Sequence, residues 1–208
     1  MVFLSVIIPT YNSELTIERC LDSLSIQTYQ DFEICIIDAS SSDATLSRVN
    51  QFRSKFQNIR ILSESDRGTY DAMNKGIDLA KGEWIYFIGS DDEIHDENVF
   101  ADMFKVAPDK NCGMIYGDVR VYGDTLWAKD GQIYDGKFSI EHLLERNICH
   151  QAIFYRTKMF EKLGKYNLRY PVCADWELNL RFFIRTNPQY LERTIASFYG
   201  GGISSKNS

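Results

Sequence analysis

Two adjacent acids, Asp91 and Asp92, follow the apolar run Trp84-Ile85-Tyr86-Phe87-Ile88 after a Gly89-Ser90 turn. Carboxylates paired at the end of a buried strand can hold a hard cation. Mg2+ and Mn2+ take one or two carboxylates and complete their shell with phosphate oxygens and water. The alternative is that the pair caps a helix expected over residues 97–104. A two-carboxylate motif does not decide between these on its own. Asp38 closes a second apolar run and suits a base N–H or ribose hydroxyls as donors, or a turn. Asp66 and Arg67 carry the same ambiguity, and Arg67 could also pair with a phosphate. Asp175 precedes an amphipathic helix, where it either caps that helix or takes a proton from an attacking hydroxyl. Cys149-His150 is a poor nucleophile–base pair, because adjacent strand residues point to opposite faces. His150 and Gln151 fit better as the polar lining of a substrate pocket, with a structural histidine as the plain alternative.

The elements that must position these groups follow a clear pattern. Continuous apolar runs predict buried strands at Phe3–Ile8, Glu33–Ile37, Ile59–Leu62 and Trp84–Ile88. Helical spacing predicts one helix through Ile17, Leu21 and Leu24, capped by Ser13 or Asn12. A second runs through Leu46, Val49, Phe52 or Arg53, and Phe56, and a third is lined by Tyr70, Met73, Ile77 and Ala80 and closed by Lys81-Gly82. Four strands alternating with three helices imply an α/β fold with a parallel sheet. Ligands of such sheets bind beyond the carboxyl ends of the strands. Those ends carry Thr10-Tyr11-Asn12, Asp38, Asp66 and Asp91-Asp92. The loop after the first strand has no glycine, which excludes a dinucleotide turn or a Walker loop there and leaves a cation as the natural grip on phosphates. The second half predicts a strand over 113–122, a loop or hairpin over 127–137, a helix over 140–146, a strand over 152–156 and a helix over 159–163. A helix from Ala174 to Ile184 and a last strand over 190–199 complete it.

The chain has 208 residues, enough for one large domain with a substantial core, and 44% hydrophobic with 25% charged residues places it among soluble globular proteins. A formal net charge of −6 argues against nucleic-acid binding. Residues 1–109 hold 9 Lys+Arg against 19 Asp+Glu, and residues 110–208 hold 14 against 10. The basic second half could meet an anionic surface, or simply be solvated. Five cysteines without C-x-x-C spacing fit a reduced compartment better than a disulfide framework. The start lacks the basic region of a signal peptide, and no apolar run reaches a membrane span. The expectation is a cytoplasmic protein, at most peripheral at the inner face of a membrane.

Four ordered segments carry a resemblance: Ser5-Val6-Ile7-Ile8-Pro9-Thr10-Tyr11-Asn12, Asp38-Ala39-Ser40-Ser41-Ser42-Asp43, Glu64-Ser65-Asp66-Arg67-Gly68-Thr69-Tyr70-Asp71-Ala72-Met73-Asn74-Lys75-Gly76 and Gly82 through Asp92. Together with Ile148-Cys149-His150-Gln151 and Cys173-Ala174-Asp175-Trp176-Glu177, they resemble the family 2 glycosyltransferases with the GT-A fold, notably bacterial enzymes of exopolysaccharide and O-antigen assembly. The resemblance implies a single GT-A domain over 1–208, its half 1–93 binding a nucleotide-sugar and its half 94–208 an acceptor. It implies a nucleotide-diphosphate-sugar donor, with a UDP-sugar as first choice, Mn2+ or Mg2+, and inverting transfer to a glycan or lipid-linked glycan, with room for a homodimer. By family position Thr10 and Tyr11 border the nucleoside and Asp38 holds the base, with Asn12 a further substrate-binding candidate. Asp66 lies against the nucleotide, Arg67, Asp71 and Lys75 are further substrate-binding candidates, Asp91 faces ribose and sugar, Asp92 binds the metal, and Asp175 is the general base. The motif is Ser-Asp-Asp rather than three acids, which leaves open which acid touches the metal. Ala174 stands where relatives often have Glu, so Glu177 is a reserve base. Relatives commonly continue into C-terminal helices. A non-catalytic nucleotide-sugar-binding protein of the same fold is the alternative reading.

Overall fold

The computed structural model describes residues 3–105, 108–123, 125, 128–134 and 136–200. Trp127, at the head of the expected 127–137 loop, and the glycine run beyond Gly200 lie outside them. The four apolar runs form β1 (Leu4–Thr10), β2 (Phe32–Asp38), β3 (Ile59–Ser63) and β4 (Trp84–Phe87), parallel in the order β3-β2-β1-β4. They are joined by α1 (Ile17–Ser25), by α2 (Thr45–Gln51) with a 3-10 turn at Arg53–Lys55, and by α3 (Thr69–Leu79). Thr10 lies opposite Asp38, and Asp38 opposite Ser63, so three strand ends form one level edge.

Side chains alternate along a strand, so a sheet covered on both sides needs apolar residues in both parities. Leu4, Val6, Ile8, Ile34, Ile36 and Tyr86 face α1, meeting Ile17, Leu21 and Leu24. Ile7, Cys35, Ile37, Ile85 and Phe87 face the other way, onto Ala72, Met73 and Ile77 of α3. Gly76 permits this close approach: a Cβ there would lie 2.4 Å from Ile7 Cγ2.

The second half comprises β5 (Glu93–Ile94), α4 (Val99–Lys105), β6 (Met114–Tyr122), β7 (Ile133–Tyr134) and α5 (Ile140–Glu145). A 3-10 turn at His150–Ala152 leads into β8 (Ile153–Arg156), α6 (Thr157–Leu163), α7 (Ala174–Arg185) and β9 (Gln189–Tyr199). The sheet continues from β4 through β8, β6 and β9 to β5, with β7 paired to β6. β8 is antiparallel to β4 and to β6, so the purely parallel block is confined to the first half. Among the described residues no helix is long and apolar enough to cross a membrane.

Several local expectations are corrected. Helix α1 starts at Ile17, and Thr16 in the cap position makes no side-chain cap bond. The expected caps are spent elsewhere: Asn12 Oδ1 accepts from Ser42 N at 3.0 Å and Ser13 Oγ shares a hydrogen bond of 2.8 Å with Ser90 Oγ, tying neighbouring loops together. β1 continues through Pro9, which a two-sided strand would resist for want of an N–H. Its pairing with β4 ends at Ile7, so Pro9 has a neighbouring strand on one side only. The two-residue β5 was not expected, being too short to show periodicity.

Candidate active site

The acid pair is not a helix cap. β5 intervenes before α4, and the carboxylate near that helix start is Asp96, whose Oδ1 accepts from Asn98 N at 2.9 Å. Asp91 and Asp92 instead fold back over Gly89. A Cβ on Gly89 would sit 2.7 Å from Asp91 Oδ1 and 2.9 Å from Asp92 Oδ2, so two carboxylate oxygens converge on the space a side chain would take.

Asp92 is 2% exposed. Its Oδ2 accepts from Gln151 Nε2 at 2.8 Å and its Oδ1 from Tyr199 N at 3.2 Å. Burial first, and the Asp91 charge second, push the Asp92 carboxyl up to about 7, while Gln151, Tyr199 and Arg19 pull it back. Arg19 donates to the Asp91 carbonyl, pairs with Glu93 at 2.7 Å and stacks over the Tyr199 ring at 3.8 Å, so α1 and β9 brace the motif. Ser90 Oγ and Ser13 Oγ share a hydrogen bond of 2.8 Å, which joins the motif to the loop after β1.

A divalent cation fits this donor set. Two hard oxygens converge, and a buried carboxylate is reluctant to ionise until a positive charge arrives. Among the described residues no group of three or more His, Cys, Asp or Glu is arranged to hold a metal. The pair would therefore need phosphate and water oxygens to complete a shell. Gly89→Ala places a methyl group where the two oxygens meet, and Mn2+ affinity measured by calorimetry is expected to fall roughly tenfold, since Asp92 is held on both oxygens and cannot retreat. The sign of the pH effect also follows. With its ionisation displaced upward to about 7, Asp92 contributes stability to the metal-free fold that is present below the ordinary carboxylate range and is lost as pH rises through about 7. The cation needs the ionised form, so the Mn2+-induced rise in Tm should be larger at about pH 8 than at about pH 6. A pH-independent rise would remove Asp92 from the ligand set.

On the neighbouring strand ends, Thr10 and Asp38 are buried whereas Tyr11 is 66% exposed. Asp38 accepts from Thr10 Oγ1 at 3.2 Å, Ser41 Oγ at 2.5 Å, Ser41 N at 3.0 Å and Ser63 Oγ at 2.7 Å. All its lone pairs are used, so a base N–H would have to displace one of these donors. Asn12, in the left-handed region at φ 47°, accepts from Ser42 N at 3.0 Å. Asp66 accepts from Gly68 N at 2.8 Å, forming the turn into α3. Arg67, with its side chain 77% exposed, pairs with Asp71 at 3.1 Å, and Lys75 pairs with Glu64 at 2.9 Å. These four charges answer one another on the rim.

Across from the acid pair, the turn at His150–Ala152 carries Gln151 to Asp92, and Tyr86 fixes that turn by donating to the Gln151 carbonyl at 2.7 Å. His150 and Cys149 do not sit in a strand, so the opposite-face argument against them does not apply. Chemistry replaces it: burial, then Asp175 and Asp92, push the Cys149 thiol up to about 12, far from a thiolate at neutral pH. Burial pushes the His150 imidazole down, while the charges of Asp175 and Asp91 act on it in the opposite sense.

Asp175 does not cap α7. Cys173 holds the cap position, and the Asp175 oxygens accept from the Tyr70 hydroxyl at 2.7 Å and from Asn147 Nδ2 at 2.8 Å. Glu177 is committed to Arg181, with contacts of 2.7 and 2.5 Å. Arg181 also donates to the carbonyls of Leu163 and Lys165, so Glu177 is part of a brace. Tyr70, expected as a core-facing residue, and Asn147, which no local pattern distinguishes, are the site residues that sequence reasoning missed.

Residues 5–174 match the family model described as glycosyl transferase family 2. The chain is 40% identical over 207 residues to a PGL/p-HBAD biosynthesis glycosyltransferase of Mycobacterium tuberculosis, covering 96% of this chain and 78% of that protein. It is 29% identical over 178 residues to the chondroitin synthase of Pasteurella multocida, covering 85% of this chain and 18% of that one. Among solved structures, S. aureus TarS 1–349 in complex with UDP-GlcNAc matches with a TM-score of 0.78 at 20% identity, over 99% of this chain and 61% of that one. The mannosyltransferase PcManGT from Pyrobaculum calidifontis, in complex with GDP-Man and Mn2+, matches with a TM-score of 0.72 at 18% identity, over 97% and 58%. At those identities the structural likeness speaks to the fold, which is GT-A.

Proposed function

The chain belongs to glycosyl transferase family 2, and we propose that it transfers a sugar from a nucleotide-diphosphate-sugar, a UDP-sugar first, to a hydroxyl of a glycan or lipid-linked glycan. The observation that carries this reading is that one short segment reaches both acids: Gln151 bonds Asp92 at 2.8 Å, and Asn147, four residues before it, bonds Asp175 at 2.8 Å. In this reading Asp92, with Asp91 beside it, holds Mn2+ or Mg2+. When bound, the cation takes up negative charge as the diphosphate departs. Thr10, Tyr11 and Asn12 seat the nucleoside, Asp38 meets the base by exchanging one of its four hydrogen-bond donors for a base N–H, and Asp91 faces ribose and sugar. Asp66, Arg67, Asp71 and Lys75 lie on the nucleotide side of the rim. Asp175 takes the proton of the attacking hydroxyl as that oxygen bonds to the anomeric carbon from the face opposite the leaving group, which inverts the centre.

The ligands of the neighbouring structures, UDP-GlcNAc in one and GDP-Man with Mn2+ in the other, support a nucleotide-sugar and a divalent cation. Exposed Leu168, Tyr170 and Val172 lie on the segment leading to Asp175, which favours an acceptor with an apolar portion and action at the inner face of a membrane. A thermal-shift panel of UDP-, GDP- and TDP-sugars with Mn2+ tests the donor. A ligand at 100 times its Kd adds about 2.7 kcal/mol of stability, which is roughly 5–10 °C for a domain of this size. No shift with any sugar nucleotide, with or without Mn2+, would sink the reading.

A further inference from the structure

The Tyr70 hydroxyl faces two acceptors. Asp175 Oδ1 and the Val172 carbonyl each lie 2.7 Å from it, and one hydroxyl proton serves one acceptor at a time. Asn147 approaches the other carboxylate oxygen with Nδ2 at 2.8 Å. Its amide orientation is fixed, because its own oxygen accepts from Asn179 Nδ2 at 2.8 Å. Asn179 is fixed in turn, donating to the Ile148 carbonyl at 3.1 Å and accepting from the Tyr155 hydroxyl. Asn147 can only donate at Oδ2, whereas Tyr70 can donate at Oδ1 or accept there.

We propose that Tyr70 and Asn147 are positioning residues for Asp175, and that the Tyr70 hydroxyl turns from Asp175 to the Val172 carbonyl when Asp175 is protonated. The inference rests on the reading of Asp175 as the general base. Before transfer the carboxylate accepts from both residues and keeps lone pairs for the attacking hydroxyl. In transfer the O–H bond of the acceptor breaks and an O–H bond forms on Asp175. The acceptor oxygen's electron pair bonds to the anomeric carbon, and the bond from that carbon to the diphosphate breaks, its pair leaving on the diphosphate. The proton on Oδ1 is then donated to the Tyr70 oxygen, whose own hydrogen points to Val172.

The titratable groups facing Asp175 are Tyr70 from α3, Cys149 and His150 from the turn before β8, Tyr155 from β8 and Tyr166 after α6. Burial above all holds the three phenols and the Cys149 thiol well above their ordinary values and the imidazole below its own, so neutral dipoles meet the Asp175 charge. On α7 itself, Arg181 is committed to Glu177.

The experiment follows nucleotide release from UDP-glucose, UDP-GlcNAc, UDP-galactose and GDP-mannose across pH, with Mn2+ and donor held saturating at every pH so that the ionisation of Asp92 does not set the profile. It compares the wild type with Tyr70→Phe, Asn147→Ala and Asp175→Asn. Phe keeps the ring that stacks on Tyr166 at 5.3 Å. In Tyr70→Phe the acidic limb of the rate profile should move up by about one pH unit, with a roughly tenfold loss on that limb and recovery at alkaline pH. Asn147→Ala should move it the same way, and the donor-induced thermal shift should be unchanged in both. An unmoved limb in both variants, or an equal loss at every pH, overturns the proposal. If Asp175→Asn still turns donor over, or the wild type turns over none, the base reading itself falls and takes the proposal with it. An inactive Asp175→Asn beside an unmoved limb removes only the inference about Tyr70.

Discussion

Asp92→Asn is expected to abolish the Mn2+-dependent part of donor binding while leaving the protein folded. The carboxylate sits 2% exposed beside a second acid, and its displacement from the ordinary 3.8 to about 7 means that holding it ionised costs roughly 4 kcal/mol before any cation arrives. The amide of the variant carries no charge, so that cost disappears. Its oxygen still accepts from Tyr199 N, and the Gln151 amide can turn to offer oxygen to the new N–H, since the Gln151 carbonyl and not its side chain is held by Tyr86. The metal-free Tm should therefore hold near neutrality and rise relative to wild type above about pH 7. Mn2+ should lose one of its two protein oxygens, with donor affinity in its presence down at least about a hundredfold. The comparison with Asp91→Asn decides which acid touches the metal. If Asp92→Asn retains full Mn2+-dependent donor binding while Asp91→Asn loses it, the assignment is reversed.

The parallel half of the fold was legible because its strands are buried on both faces and its helices are amphipathic, each a periodic signal of several residues. β1, β2 and β4 read as unbroken apolar runs, since Leu4 and Ile7 must please opposite layers. The starts of elements were less legible where side chains bond across loops. Asn12 and Ser13 look like caps, yet the Asn12 side-chain oxygen is claimed by Ser42 N and the Ser13 hydroxyl by Ser90, 30 and 77 residues away. No local rule sees such a partner.

The site divides in the same way. Its acids were visible because carboxylates at strand ends are few and point to one edge. What each acid does there depends on long-range neighbours. Asp38 and Asp92 are both buried acids at strand ends, but Asp38 receives four hydrogen bonds and Asp92 two, with a second carboxylate nearby. Burial with four donors makes a stable scaffold for the loop, whereas burial with too few makes a place for a cation. Glu177 is the reserve base in the sequence and is set apart from Asp175 by its commitment to Arg181, one turn further along α7. Tyr70 was hidden for another reason. Its ring belongs to the apolar face of α3, stacking on Tyr166, and only its hydroxyl reaches Asp175, so hydrophobic periodicity counted it as core.

Asp175→Asn should keep donor binding and lose sugar transfer. General-base catalysis contributes on the order of 10²–10⁴ in rate, so transfer should drop by about that factor, while the Mn2+-dependent thermal shift with a donor stays within error of wild type. Folding is not the obstacle. The carboxylate accepts from two donors, and a replacement amide would set its NH2 against one of them, a conflict of about 1–3 kcal/mol if nothing moved. Tyr70 relieves it by donating to the Val172 carbonyl at 2.7 Å and accepting from the new N–H, while Asn147 keeps the amide oxygen. The same two-position hydroxyl that would serve the protonated base therefore protects the variant, and its Tm should fall by less than about 3 °C. A large loss of Tm, or weakened donor binding with intact transfer, would mean that Asp175 is a structural acid and that another group takes the acceptor's proton.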